Sequence, residues 1–205
     1  PGDSSRTRRT RPAEPRARPC GERTGSATSR MVVESRARPA PHPHAGHPCP
    51  GCGAVIPDPP GVNRPSEGAS PGCWAAYGDL VAREYGEWAN PPIHRLTVAT
   101  YAAQHPREPD LKATQSLAVH LVTLLFVVEK GVDLARVPRE IGRAVADPSE
   151  FRWLQPPPDP GWQTILDVRG ARDVKDHTSR VQRWARSVWE AWGPHQEVIR
   201  RWAGH

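Results

Sequence analysis

From residue 70 to the end of the chain, apolar side chains recur at helical spacing. In the first 48 residues they hardly occur. Trp74, Tyr77, Val81, Tyr85 and Trp88 follow one another in steps of three and four, with Ser70-Pro71-Gly72 before them and Asn90-Pro91-Pro92 after. That pattern predicts a first helix between two Pro-containing turns. A second is expected over residues 93–104, with Ile93, Leu96, Thr100 and Ala103 on one face. Pro106 ends it by removing a donor and restricting the residue before it. Residues 117–128 form the most apolar stretch and read as a central helix buried nearly all round.

The middle of the chain carries a weaker pattern. Residues 138–146 are expected to form a short helix, and residues 147–154 another after the turn Asp147-Pro148-Ser149-Glu150. Residues 155–161, with four prolines, read as a stiff linker. The last element starts near Asp173 and aligns His177, Val181, Trp184, Val188, Trp192, His195, Ile199 and Trp202 on one stripe. Gly193-Pro194 interrupts it, so a kink or break is expected there. Trp189 lies off the stripe and reads as an exposed contact. No segment alternates with period two, and the fold class expected is all-α, a compact helical bundle.

Residues 1–48 contain no Leu, Ile, Phe, Tyr or Trp. Too little burial is available there to offset the roughly 1 to 2 kcal/mol per residue that ordering a backbone costs. A disordered tail over residues 1–47 and a domain over residues 48–205 are therefore expected. The tail also explains the charge. Its ten Arg face only four acids, whereas the rest of the chain balances 18 basic against 18 acidic residues. The net +6 and the pI near 9.6 thus belong to the tail. Runs such as Arg6-Thr7-Arg8-Arg9 could contact phosphate, but a neutral domain argues against nucleic acid as the main partner. Met31 is the only methionine, so translation could start there. No stretch reaches the roughly 20 apolar residues of a membrane span, and no secretory h-region is present, so a cytoplasmic location is expected.

The chemistry lies in the cysteines. Cys49-Pro50-Gly51-Cys52-Gly53 places two sulfurs on one side of a tight turn, with glycines that let backbone N–H groups face them. This is the knuckle of zinc sites. A redox Cys-x-x-Cys would open a helix after a strand, and here a Pro-rich loop follows instead. Cys73 comes twenty residues later, at the start of the first helix, where the helix dipole favours a thiolate. If the first two helices are antiparallel, about 21 Å of rise is followed by an equal return, which brings His105 beside Cys73 and leaves His94 at the far end. His120 lies about a turn and a half from the same end. The metal ligands expected are Cys49, Cys52, Cys73 and a histidine, with His105 preferred over His120 and His94; Cys20 lies in the tail.

Four protein ligands make a closed, structural zinc site. Three with a water would be a reactive one, although the His-x-Glu signature of zinc deaminases is absent. His120, His177 and His195 also fall on buried faces. They are either core residues that hydrogen-bond or a second metal site within the bundle, as in enzymes of the DinB kind.

These motifs, taken together, resemble a family of small bacterial proteins of unknown function. The resemblance rests on Cys49-Pro50-Gly51-Cys52-Gly53, Gly72-Cys73-Trp74, His94-Arg95-Leu96-Thr97-Val98, Gln104-His105-Pro106 and the tryptophans of the C-terminal helix. It covers about residues 48–203 and implies a shared metal site without naming a reaction. The chain departs from the family pattern at Ala99, where an acidic residue is expected, and at His195-Gln196, where a His-His pair is expected. The function expected is a zinc-stabilised helical domain acting as a binding or interaction module. The alternative is a metal-dependent hydrolase or transferase built on Cys73, His105, His120 and His177.

Overall fold

The computed structural model describes residues 46–61, 68–89, 91–144, 148–158 and 161–204. The Arg-rich tail through residue 45, with Cys20, lies outside the described residues, as do Asn90 and Asp147. Among the described residues seven α-helices follow in order: α1 (Pro71–Gly86), α2 (His94–Gln104), α3 (Leu111–Leu124), α4 (Val137–Ala144), α5 (Ile165–Arg169), α6 (Val174–Ala191) and α7 (Gln196–Trp202). Among the described residues there is no strand, only one isolated antiparallel bridge between Pro48 and Val55. The fold is all-α, as the periodicity predicts.

Local chemistry explains most helix boundaries. Ser70 caps α1 by accepting from the Cys73 N–H, and Pro71 occupies the first turn, where its missing donor is harmless. Asp110 caps α3 and Asp173 caps α6. α3 therefore starts six residues before the apolar run that announces it, because the aspartate decides where the backbone enters the helix. It continues through a π-helical turn, Leu125–Glu129, and stops at Lys130 and a left-handed Gly131 (φ 63°). α6 breaks where Gly193-Pro194 requires: a 3₁₀ turn, Gly193–His195, separates it from α7. Residues 148–150 form a 3₁₀ turn in place of the expected short helix. α5 has no counterpart in the periodicity. Five residues are too few to show a period, and a capping box between Thr164 and Asp167 starts it.

α2 lies at the centre, packed against α3 and α6, while α5 rests on α1 and α6, and α7 on α3. The core joins Leu96, Leu121, Leu124 and Leu125 to Ile165, Val181, Trp184, Val188, Trp192 and Ile199. Within it Gln104 is fully buried, accepting from the Trp184 indole at 2.9 Å and donating to the Gln163 carbonyl at 2.8 Å. The run Leu111–Glu129 is long and apolar enough to cross a membrane, yet half of it is buried inside the fold, as the central helix of a bundle would be.

Burial on two helices differs from what the apolar spacing suggests. The buried face of α1 is Cys73, Ala76, Leu80 and Glu84, one position away from the aromatic stripe, and Tyr85 is 56 % exposed. Small side chains let the neighbouring elements approach closely, and the larger aromatics flank that seam. Trp189 is buried against the core, because the stripe of α6 is wide enough to include it.

Candidate metal centre

The knuckle is a tight loop held by its own backbone. The Cys49 N–H donates to the Ala54 carbonyl at 2.9 Å and the Gly53 N–H to the Cys49 carbonyl at 2.8 Å. Gly53 takes φ 77°, a left-handed conformation that glycine adopts without a steric penalty. Gly51 lies so close to the end of α2 that a Cβ would come within 2.5 Å of the Gln104 carbonyl oxygen. The loop thus rests on the residue before His105, while Cys73 arrives from the first turn of α1.

These elements bring together Cys49, Cys52, Cys73 and His105, the four residues preferred from the sequence. All four are buried, and their ligand atoms lie within 4.8 Å of one another. The Cys52 and Cys73 sulfurs are 3.7 Å apart, and His105 Nε2 is 3.4 Å from Cys73 Sγ. Around a tetrahedral divalent ion with ordinary metal–ligand bonds, sulfurs stand about 3.8 Å apart and a sulfur and a nitrogen about 3.6 Å. The cluster therefore has the size such an ion requires. The 3.7 Å separation is well beyond the roughly 2.05 Å of a disulfide.

The protonation of the site suits a cation. His105 Nδ1 lies 2.7 Å from the Tyr101 carbonyl, which can only accept, so Nδ1 carries the proton and Nε2 presents a lone pair to the sulfurs. The Ser70 N–H points at Cys49 Sγ at 3.3 Å, and the Ala54 N–H supports Cys52. Hydrogen bonds from Cys52 and Cys73 hold the Cys49 thiol far below its usual range. The Cys49 thiolate in turn pushes Cys52 up to about 12 and Cys73 higher still. Three thiols this close become thiolates together only when a positive ion sits among them.

Among the described residues, His94, His120, His177 and His195 do not join this cluster. His94 and His177 both contact Glu84, a carboxylate with no exposed surface: His177 Nε2 donates to Oε1 at 2.6 Å and His94 Nδ1 binds Oε2. Thr97 donates to Oε1 as well, at 2.6 Å. Burial pushes the Glu84 carboxyl up, but the hydrogen bonds from His177, Thr97 and His94 outweigh it and the net direction is down. His195 meets the Gln155 carbonyl, and His120 lines a cavity between α2 and α3. The convergence of His120, His177 and His195 weighed above is therefore not found. The sequence reading missed Glu84, which no local signal marks as buried. It also missed the Tyr101 carbonyl, which the spacing of four residues before His105 would have indicated.

A family model described as a family of unknown function (DUF5946) matches residues 47–193, which include all four clustered residues. No curated protein and no solved structure matches the chain.

Proposed function

The chain belongs to DUF5946, a family of unknown function, and from that premise we propose that Cys49, Cys52, Cys73 and His105 hold a structural zinc ion in a domain that acts as a binding module. The observation that carries this reading is a buried set of three sulfurs and one imidazole nitrogen, all within 4.8 Å of one another, with the imidazole tautomer set by Tyr101. Thiolate and imidazole donors in a four-coordinate site suit zinc above the harder divalent ions. The ion would join three segments distant in sequence: the knuckle, the start of α1 and the end of α2. A set filled by protein leaves no position for a reacting water, so the ion's contribution is to stability. Three unbridged cysteines suit a reducing compartment such as the cytoplasm.

The alternative, a metal-dependent hydrolase or transferase, has less support. Its fourth member, His177, is committed to Glu84, and His105 completes the closed cluster. Metal analysis of the purified protein, with Cys49→Ser and His105→Ala beside it, tests the proposal. About one equivalent of zinc in the wild type, and loss of both metal and fold in the variants, is the expected result. Less than half an equivalent in the wild type would overturn the metal reading. Variants that stay folded but lose a zinc-dependent activity would move the reading to the enzyme.

A further inference from the structure

Cys73 differs from the other two clustered cysteines in where its hydrogen bonds can come from. Three thiolates and a neutral imidazole around a divalent ion leave one negative charge over, and donors turned toward the sulfurs spread it. Cys49 has the Ser70 N–H at 3.3 Å, and Cys52 has the Ala54 N–H. Cys73 stands in the first turn of α1, where the neighbouring amides are already used. The Gly72 N–H donates to Asp58 Oδ1 at 2.8 Å, the Cys73 N–H to Ser70 Oγ at 3.2 Å and the Trp74 N–H to the Ser70 carbonyl at 2.9 Å. Solvent does not substitute for them, since Cys73 has no exposed surface.

The donor that reaches this sulfur comes from α2. The Tyr101 hydroxyl lies 3.8 Å from Cys73 Sγ, and a thiolate has no proton to give, so the O–H is the donor. Tyr101 precedes His105 by one helical turn, which puts both side chains on one face. Their rings stack, 4.0 Å between centroids and 28° between planes, and the Tyr101 carbonyl accepts from His105 Nδ1 at 2.7 Å. Tyr77 stacks on Tyr101 as well, at 3.9 Å and 13°. Two rings cannot share one face at such distances, so the Tyr101 ring is clamped between Tyr77 and His105. Its hydroxyl is thereby held against one sulfur.

We propose that the Tyr101 hydroxyl is the donor that quiets the Cys73 thiolate in the loaded site, and so sets how readily Cys73 reacts and how fast the ion leaves. The inference rests on the metal reading and adds what regulates that site. Tyr101 ligates nothing; it is a positioning residue that acts through Cys73 and His105. A phenolic hydrogen bond draws electron density from the sulfur, and a sulfur without it is the stronger nucleophile. Because Cys73 is the ligand that α1 supplies, its release frees that helix from the knuckle.

Full-length protein loaded with Co²⁺ in place of zinc reports on the sulfurs through its sulfur-to-cobalt charge-transfer band. Tyr101→Phe keeps both stacks and the carbonyl contact and removes the O–H. Its band is expected at lower energy than that of the wild type. In the zinc-loaded variant, alkylation of Cys73 by iodoacetamide, mapped by peptide mass spectrometry, is expected to be about fivefold faster, the factor that one net hydrogen bond contributes. Loss of metal to a chelator should quicken with it. Tyr77→Phe, which keeps the stack, should match the wild type in all three measurements. Replacing Tyr101 with 3-fluorotyrosine, a stronger donor of nearly the same size, should move the band to higher energy, and it decides the matter if Tyr101→Phe does not fold. Folded, loaded Tyr101→Phe protein with the wild-type band and alkylation rate overturns the proposal. A 3-fluorotyrosine protein with an unmoved band, or Tyr77→Phe reproducing every effect, overturns it too. Wild-type protein that takes up neither cobalt nor zinc counts against the metal reading on which the proposal depends. Loaded protein indifferent to the Tyr101 changes counts against the proposal alone.

Discussion

Glu84 on α1 accepts a hydrogen bond from His177 on α6 at 2.6 Å, across 93 residues of sequence, and neither side chain has any exposed surface. A buried carboxylate is stable only while donors surround it, and His177, Thr97 and His94 supply three. The pair ties the end of α1 remote from the metal cluster to the last long helix. The outer face of His177 packs on Trp88, whose ring also lies under Arg83 at 4.6 Å.

Replacing His177 with Phe keeps the volume and the packing on Trp88 but removes a donor from a carboxylate that cannot reach water. The expected loss is about 3 kcal/mol in urea unfolding, the order of cost for leaving a buried carboxylate short of a hydrogen-bond donor. A loss below about 1 kcal/mol would show that Glu84 does not depend on this contact.

The same carboxylate makes stability depend on acid. Its folded pKa lies below the ordinary 4.5, so its contribution is complete above that value and is lost as the pH falls through the lower folded one. Thermal melts of the wild type should therefore fall steeply below pH 4.5, and those of Glu84→Leu less steeply. The half-buried Asp176 and the exposed Glu129 are also held low by arginines, but high salt weakens those pairs and leaves Glu84 to be read from the difference. Identical slopes for wild type and variant at high salt would refute this role.

Gly51 and Gly53 should respond differently to alanine. A Cβ at Gly51 would meet the Gln104 and Gly68 carbonyl oxygens at 2.5 and 2.6 Å and the His105 ring at 2.6 Å. Backbone there cannot yield cheaply, and about 2 kcal/mol together with weakened zinc retention is expected. At Gly53 a Cβ meets nothing within 4 Å, and only the left-handed backbone is penalised, by about 1 kcal/mol with zinc retained. Competition with a chromogenic chelator measures both. Equal zinc retention in the two variants would contradict the close contact at Gly51.

Gln104 offers a test of the core away from the metal. Gln104→Leu would leave the Trp184 N–H and the Gln163 carbonyl without partners, at about 1 to 3 kcal/mol for each buried group. Chemical denaturation should show the loss, with one equivalent of zinc still bound in the folded variant. A change below about 1 kcal/mol would mean that water satisfies both groups.

What was readable along the chain is what local physics controls. The Cys49 to Gly53 knuckle needs only a tight turn with two glycines. The break at Gly193-Pro194 follows from a missing donor and a ring clash, and the helical periods of α2 and α6 follow from which residues water excludes. The pairing of Cys73 with His105 was within reach because two antiparallel helices of similar length return the chain to its starting level.

Only the tertiary structure decided which face of α1 is buried. Aromatic stripes normally mark a core, yet the closest packing falls on Cys73, Ala76, Leu80 and Glu84, where small groups and a neutralised acid let neighbouring elements approach. Nothing near Glu84 announces its burial, since two of its three hydrogen-bonding partners lie on α2 and the third 93 residues away on α6. Period and turn chemistry act over a few residues, whereas burial, charge pairing and cavities are sums over segments that the chain joins only when it folds.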